Sequence, residues 1–281
     1  MDKSKTKNFI IVVLIIVNVF LLAGVALDRA EALSVRREAE KNMLTILDEA
    51  GIAIADGILS NRAQMDARHL VRDMDKELSM MKSALGNDVE GSHQGGNIWF
   101  YNGPKGQAQL SGTGELEILP WAGTISTSGN DLAGIAVDYL KKLGIDSNPD
   151  TAEISSSEGI DTVTLTCNWE GVPVFNSKIS FTFSNGSVIL IIGFRPLDTN
   201  VSDSGNPALD VNTILMRFLD MIYTDGIVCS EIISLKQGYV FNVSVSGDGD
   251  LTPYWHIVTD SGEYSVNGLT GIVENIALSS F

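Results

Sequence analysis

The chain has 281 residues, of which 44% are hydrophobic and 19% are charged, and its 35 acidic residues outnumber its 19 basic ones. A net charge of −16 repels nucleic acid and anionic lipid headgroups, so the composition argues against a nucleic-acid-binding protein. It points to proteins, or weakly held cations, as partners. Two cysteines cannot staple a chain this long, so its stability must come from buried apolar cores.

The amino-terminal part predicts a membrane anchor. Residues 8–27 contain no charged side chain, and three lysines stand among residues 1–7. Twenty apolar residues in a helix span about 30 Å, which is the thickness of the hydrocarbon core of a bilayer. The basic flank favours a cytoplasmic amino terminus, so residues 1–7 are expected inside the cell and residues 28–281 outside.

A cleaved signal peptide is the alternative interpretation of this segment. Gly24 and Ala26 are small residues at the spacing that signal peptidases accept. The apolar run, however, is longer than the usual 7–15 residues of a signal peptide, and a polar, helix-compatible segment follows it without a break. We therefore expect a single-pass protein of the cell membrane. Its exterior part has 34 acidic and 16 basic residues, a net charge of −18.

One polar side chain, that of Asn18, falls near the centre of the predicted anchor. An amide in hydrocarbon needs a hydrogen-bond partner, which a second membrane helix can supply, and Gly24 allows such a helix to approach closely. Asn18 can also bond back to its own helix, so both interpretations stay open.

The exterior part is expected to begin with a juxtamembrane helix over residues 28–50, which Gly51 ends. A first α+β unit follows over residues 51–125. Its helix is indicated by apolar residues at helical spacing, namely Leu70, Met74, Leu78, Met81 and Leu85. Residues 87–97 have the composition of a loop, and IWFY, AQLS and ELEIL are predicted strands.

The next two units look like repeats of each other. A helix capped by Asn130 or Asp131 and a helix capped by Asp210 carry six apolar positions that are displaced by 79 residues. Each helix precedes a predicted antiparallel meander, and Asn185-Gly186 marks a hairpin turn in the first of them. The units cover residues 126–197 and 210–281, with a polar linker at 198–209. The predicted fold class is therefore α+β: an anchor followed by repeated two-layer helix-plus-meander units.

The sequence contains no motif for a catalytic, metal or cofactor site. His69, His93 and His256 are far apart and lack the spacing of a helical zinc site; we expect His69 on a charged helix, His93 in a loop and His256 in a strand. Asp248 and Asp250 suggest half of a calcium loop but lack the later glycine and glutamate of an EF-hand. We predict a protein that is not an enzyme and needs no cofactor.

The two cysteines are expected to be separate thiols, although a disulfide is possible in an oxidising exterior. Cys167 follows the alternation of Val163 and Leu165 and should point inward on a strand. Cys229 has apolar residues on both sides in GIVCSEI, so it too should be buried.

Several segments together resemble the YycI-like family of two-component regulatory proteins, relatives of YycH. They are the lysine-rich amino terminus, IVNVFLL in the anchor, ILDEAGIAI after it, and the GGNIWFY and GELEIL strands. The stretch from Pro253 to Val273 also looks like the end of a PepSY-type repeat. The resemblance implies a membrane-anchored extracytoplasmic regulator of a cell-wall-responsive sensor histidine kinase of Gram-positive bacteria, WalK (also called YycG). It also implies a possible YycH-like companion protein and contact through the membrane helix, at Asn18, Phe20, Leu21 and Gly24.

Two other classes of function remain open. An extracellular PepSY-like inhibitor or chaperone of a peptidase or cell-wall hydrolase would use a groove between sheet and helix, lined by Trp169 and Trp255. An enzyme is the third class, for which the sequence offers no nucleophile, metal set or cofactor loop.

Overall fold

The structure is a computed structural model, and it describes residues 34–35, 37–55, 57–59, 65–127, 131–244 and 247–274, without the side chains of 202–206. The chain divides into two compact units, Met1–Ser60 and Asn61–Phe281. The predicted anchor at residues 8–27, with Asn18, Phe20, Leu21 and Gly24, lies outside the described residues. Among the helices that the structure does describe, none has the length and apolar character needed to cross a bilayer.

In the first unit, helix α1 covers residues 37–49, and a two-residue strand, β1 (Ala53–Ile54), follows it. Gly51 adopts a left-handed conformation, with φ of +73°, directly after the helix. The backbone N–H of Ile52 donates to the carbonyl of Leu47 at 2.9 Å and closes the last turn. The predicted helix end at Gly51 is thus confirmed.

The second unit contains three α-helices and fourteen strands among its described residues. The helices are α2 (Met74–Leu85), α3 (Leu132–Lys142) and α4 (Val211–Asp225). The strands are β2 (Asp66–Val71), β3 (Glu90–Gly95), β4 (Ile98–Gly103), β5 (Gly106–Ser111), β6 (Glu115–Pro120), β7 (Glu153–Ser157), β8 (Ile160–Trp169), β9 (Val172–Ser184), β10 (Ser187–Phe194), β11 (Thr199–Pro207), β12 (Glu231–Val243), β13 (Asp248–Thr259), β14 (Glu263–Asn267) and β15 (Val273–Glu274).

These strands belong to one sheet. Ten of them follow each other in the order β11, β2, β13, β12, β9, β10, β6, β5, β4, β3. The remaining strands extend from this path: β7 pairs with β8 and β8 with β9, while β14 pairs with β13 and β15. The pairs are antiparallel except for β9 and β12, which run parallel where Val174 lies beside Tyr239.

A side-chain amide continues the short pairing between β9 and β12. The Nδ2 of Asn176 donates to the carbonyl of Phe241 at 2.8 Å, and the N–H of Phe241 donates to Oδ1 of Asn176 at 2.9 Å. Asn176 thereby satisfies the backbone of Phe241 on the side of β12 next to β9, beyond the short pairing of Val174 with Tyr239.

The sheet curls so that strands far apart along the path approach each other. Arg72 directly follows β2, the second strand of the path, and Asn97 directly precedes β4, the ninth. The Nη1 of Arg72 donates to the carbonyl oxygen of Asn97 at 2.7 Å and to its Oδ1 at 2.8 Å. This contact ties the two end regions of the sheet together.

The helices are capped and buried as their sequences indicate. Asp131 and Asp210 accept hydrogen bonds from the first-turn N–H groups of α3 and α4. Helix α2 and helix α3 pack on the core that includes Tyr101, Phe181 and other residues of β4 to β10. In α4 the six apolar positions of the predicted face are all buried: Val211, Ile214, Leu215, Phe218, Leu219 and Ile222. The corresponding positions of the first helix of the predicted repeat are buried at Ala136, Tyr139, Leu140 and Leu143 and partly buried at Leu132 and Ile135.

The predicted fold class, α+β with an anchor and repeated two-layer units, is wrong. The described part of the chain is mostly β, with 47% of the described residues in strands, and the strands form one curled sheet rather than separate layers. Each predicted meander would leave two edges with unpaired backbone N–H and C=O groups. Pairing of β10 with β6, and of β12 with β9, covers one edge of each predicted meander and merges the units.

Three local predictions are also wrong. Leu70, expected on a helix, lies in β2 and is buried. The predicted loop at 87–97 contains β3, an edge strand with six exposed residues and therefore no hydrophobic alternation. Most of the predicted linker at 198–209 is strand β11, which pairs with β2. By contrast, the turn at Asn185-Gly186 is confirmed, with φ of +50° and +72°, as a type I′ turn requires.

Candidate functional site

A buried network of charges lies where the curled sheet is tied together. Glu77, on the inner face of α2, is fully buried, and its carboxylate accepts hydrogen bonds from Arg72 and Arg195. Arg72 donates through Nε at 2.9 Å to both oxygens and through Nη2 at 2.7 Å. Arg195 donates through Nη2 at 2.9 Å and through Nη1 to Asp198 at 2.7 Å. The four charges thus alternate in sign and sum to zero.

The start of α2 holds this network in place. Asp73 caps the helix by accepting from the N–H groups of Asp75 and Lys76 at 3.1 and 3.2 Å. Its other oxygen accepts from the hydroxyl of Thr199 at 3.1 Å, and its own N–H donates to Asp198. The hydrogen bonds that the carboxylate of Asp73 accepts, led by that from the N–H of Lys76, lower its pKa.

Burial governs the titration of the groups inside the network. It raises the pKa of Glu77, while the hydrogen bond and charge of Arg72 and the charge of Arg195 oppose that rise. The pKa of Tyr101 is raised as well, first by its burial and then by the charge of Glu77. Arginine does not lose its proton in proteins. The buried positive charges of Arg72 and Arg195 therefore need the negative charges of Glu77 and Asp198 to compensate them.

A cleft of about 960 Å³ opens beside the network. Its walls come from one side of α2, from the end of α3 with the residues after it, from the end of β8, and from the segment between β10 and β11. Arg195 and Asp198 belong to both the network and the cleft wall. This volume is at the upper end of the range of small-molecule sites in proteins.

Three buried polar atoms of residues that line the cleft make no hydrogen bond to any residue that the structure describes. They are Nε of Arg195, Nε1 of Trp169 and Oδ1 of Asn168. The side chain of Arg195 is only 4% exposed. These three atoms are buried inside the wall and have almost no contact with solvent, and none of them is a nucleophile.

The structure separates the predicted groove residues. Trp169 lines the cleft at the end of β8, but Trp255 is buried at 2% exposure in β13 and does not line it. The predicted groove lined by both tryptophans is therefore wrong, because β8 pairs with β7 and β9 whereas β13 lies between β2 and β12.

The histidines are placed only partly as expected. His69 lies in β2 instead of a helix, with Nδ1 2.8 Å from Oδ1 of Asp250. His93 lies in β3, its ring 5.5 Å from that of Trp99. His256 lies in the predicted strand, 3.1 Å from Glu263, and burial lowers its pKa. Within the described ranges, no group of three or more acidic, histidine or cysteine residues is arranged to hold a metal ion.

Both cysteines are free thiols, as predicted. Cys167 is buried, which raises its pKa to about 11. Cys229 is only partly buried, so its expected burial is not reached.

Sequence reasoning missed the charge network and with it the cleft. Arg195 directly follows the apolar strand segment VILIIGF, and Glu77 falls on the apolar face of α2. A charged side chain in such a position is rarely buried unless it is paired. These two residues were therefore the available sequence signal for a buried ion pair. The pairing of Glu77 with Arg195 could not be predicted from the sequence, because the two residues are 118 positions apart.

Comparisons with known proteins add a likeness of fold. No protein-family model matches the chain, and no curated protein matches it. One solved structure with a similar fold is an uncharacterized protein from Eubacterium rectale ATCC 33656, with a TM-score of 0.50 and 11% sequence identity, covering 80% of this chain and 90% of that one. Membership of the YycI-like family stays a prediction.

Proposed function

We propose that this chain is a membrane-anchored extracytoplasmic regulator that modulates a sensor histidine kinase of the WalK/YycG type. The observation that carries the proposal is the uncharged run at residues 8–27 between a lysine-rich terminus and a large acidic exterior. The resemblance of the sequence to the YycI-like family supplies the class of partner, and a YycH-like companion protein belongs to the same proposal.

The anchor is the proposed contact with the kinase. Asn18 can offer its amide to a polar group of a neighbouring helix, while Phe20, Leu21 and Gly24 supply the packing surface beside it. The exterior part would sense or bind through its cleft of about 960 Å³, a size suited to recognition.

The topology is tested with intact protoplasts. Protease added outside should digest residues 28–281, and the uncut protein should stay with the membrane after a high-salt wash. Release of a shortened soluble form without protease would show that residues 8–27 are a cleaved signal and would remove the proposed mechanism.

The contact is tested by co-purification of the kinase with the full chain and with its Asn18→Leu variant. We expect about 3- to 30-fold weaker association for the variant, because interhelical hydrogen bonds in membranes are worth about 0.6–2 kcal/mol. Ile16→Leu is the matched control and should leave association unchanged. A chain whose residues 8–27 are replaced by an unrelated membrane helix should lose the kinase; full retention would contradict the proposal.

A second candidate function is an extracellular inhibitor or chaperone of a peptidase or cell-wall hydrolase. It is favoured by one observation, the position of Trp169 at the wall of the cleft. In that case the chain with a replaced anchor should still bind and inhibit its enzyme, and Trp169→Ala should abolish the inhibition.

A further inference from the structure

One face of the sheet from β4 to β10 is accessible to solvent. The other face carries the core on which α2 and α3 pack, with buried residues such as Leu110 and Ile191. Successive side chains of a strand point to opposite faces, so Gln109, Glu117 and Ile192 lie on the accessible face. Gln109 and Ile192 are exposed and Glu117 is partly exposed, so a ligand can reach all three.

A row of paired residues crosses six strands on this face. The residues that pair in turn, from β4 through β5, β6, β10 and β9 to β8, are Phe100, Gln109, Glu117, Ile192, Ser180 and Thr164. Neighbouring strands lie about 4.8 Å apart, so the row is about 24 Å long. The hydroxyl oxygens of Ser180 and Thr164 lie 2.8 Å apart at its end. A surface of this shape suits an elongated ligand.

The middle of the row lies in a trough of about 570 Å³ formed by β5, β6, β9 and β10. Its wall mixes amide, hydroxyl, carboxylate and amine groups with apolar side chains, among them Gln109, Ser111, Glu117, Lys178, Ile192 and Phe194. The volume is within the range of ligand sites in proteins, but the wall is more polar than that of a typical site for an apolar ligand.

We propose that this trough binds a neutral oligosaccharide. The inference goes beyond the regulation of a kinase and does not depend on it. Sugar hydroxyl groups both donate and accept hydrogen bonds, so they can pair with amide, hydroxyl, carboxylate and amine groups alike. The C–H groups of a sugar ring are apolar, and Ile192 and Phe194 offer a surface on which they can be buried.

The charges of the trough select against acidic ligands. Its wall carries two carboxylates, those of Glu115 and Glu117, against the amine of Lys178. Lys178 is also 3.6 Å from the carboxylate of Glu153. The net charge of −16 adds to the repulsion of phosphates and acidic sugars. A neutral sugar avoids this repulsion.

A peptide fits this surface less well than a sugar. Extended peptides join a sheet at its edge through main-chain hydrogen bonds. The four strands of the trough each have a paired strand on both sides, so their N–H and C=O groups are engaged in the sheet. Recognition in the trough therefore depends on side chains, which suits a ligand with hydroxyl groups around each ring.

The test uses the full chain in lipid nanodiscs on a printed array of neutral, acidic and amino-sugar oligosaccharides. Neutral members should be retained, and calorimetric titration of the best of them gives its affinity. That affinity should be the same at about 0.05 M and about 0.5 M salt, because a neutral ligand forms no ion pair. Ile192→Ala and Gln109→Ala should each weaken binding about 2- to 10-fold, through loss of an apolar contact and of a hydrogen bond.

Each variant has a control of the same residue type outside the trough. Ile189 is 42% exposed on the same strand as Ile192, which is 46% exposed, and Gln94 is exposed in β3. Ile189→Ala and Gln94→Ala should leave binding unchanged, and urea unfolding establishes that all four variants fold.

Three results would overturn the proposal. They are an array that retains no neutral oligosaccharide, an affinity that falls as salt is raised, and equal binding by the trough variants and their controls. Co-purification of the kinase does not depend on the trough, so the two proposals fail separately.

Discussion

Truncation of Phe218 tests whether α4 is a core element of the second unit. Its side chain is fully buried, and its ring lies 5.1 Å from that of Tyr264 at an interplanar angle of 62°. The neighbours on the same helix face, Leu215 and Ile222, are buried as well, so the space left by the ring cannot close easily. Phe218→Ala should therefore reduce the free energy of unfolding by about 3–5 kcal/mol, of which about 0.5–1.5 kcal/mol reflects the edge contact with Tyr264.

The measurement is equilibrium urea unfolding of the full chain in nanodiscs. Tryptophan fluorescence monitors the unfolding. A shift of the midpoint at unchanged slope reports the loss of stability. Tyr223→Ala is the matched control on the same helix, because Tyr223 is 67% exposed; it should change stability by no more than about 0.5 kcal/mol. A loss below about 1 kcal/mol for Phe218→Ala, or equal losses for the two variants, would refute the core assignment of α4.

Two further predictions concern hydrogen bonds of the sheet. Asn176→Ala should destabilise the protein by about 1–3 kcal/mol, because it leaves the buried N–H and C=O of Phe241 without partners. Asn102→Ala is the control at an exposed position of β4, and it should change the urea midpoint little. Asp260 accepts from the hydroxyl and N–H of Ser230, which lowers its pKa to about 2 from an ordinary value of 3.8. The stabilisation from this carboxylate is present above pH 3.8 and lost as the pH falls through 2. The difference in unfolding free energy between wild type and Asp260→Asn should therefore shrink between pH 4 and pH 2. A difference that does not change with pH would contradict this prediction.

Local signals in the sequence were sufficient for the helix ends and for several strands. Asp210 is a good cap, and the apolar face of α4 has strict helical spacing, so this helix was predicted with its buried residues. Asn185-Gly186 tolerates positive φ at both positions, which fixed the hairpin between β9 and β10. Such features depend only on residues close together in the chain.

The parts that were missed depend on contacts between distant residues. Strand β3 has no buried side chain, so it lacks the alternation by which strands are recognised. Pairing of β9 with β12 depends on Asn176 and Phe241, which are 65 positions apart. The burial of Glu77 depends on two arginines, one of them 118 positions away. For this reason the sequence predicted separate units where the structure has one sheet, and it did not reveal the cleft.

The most direct test of the proposed regulation is the autophosphorylation rate of the WalK-type kinase in nanodiscs, alone and together with this chain. Addition of the full chain should change the rate, and Asn18→Leu should reverse much of that change while Ile16→Leu leaves it intact. An unchanged rate, with both proteins shown to be in the same nanodisc, would contradict the account.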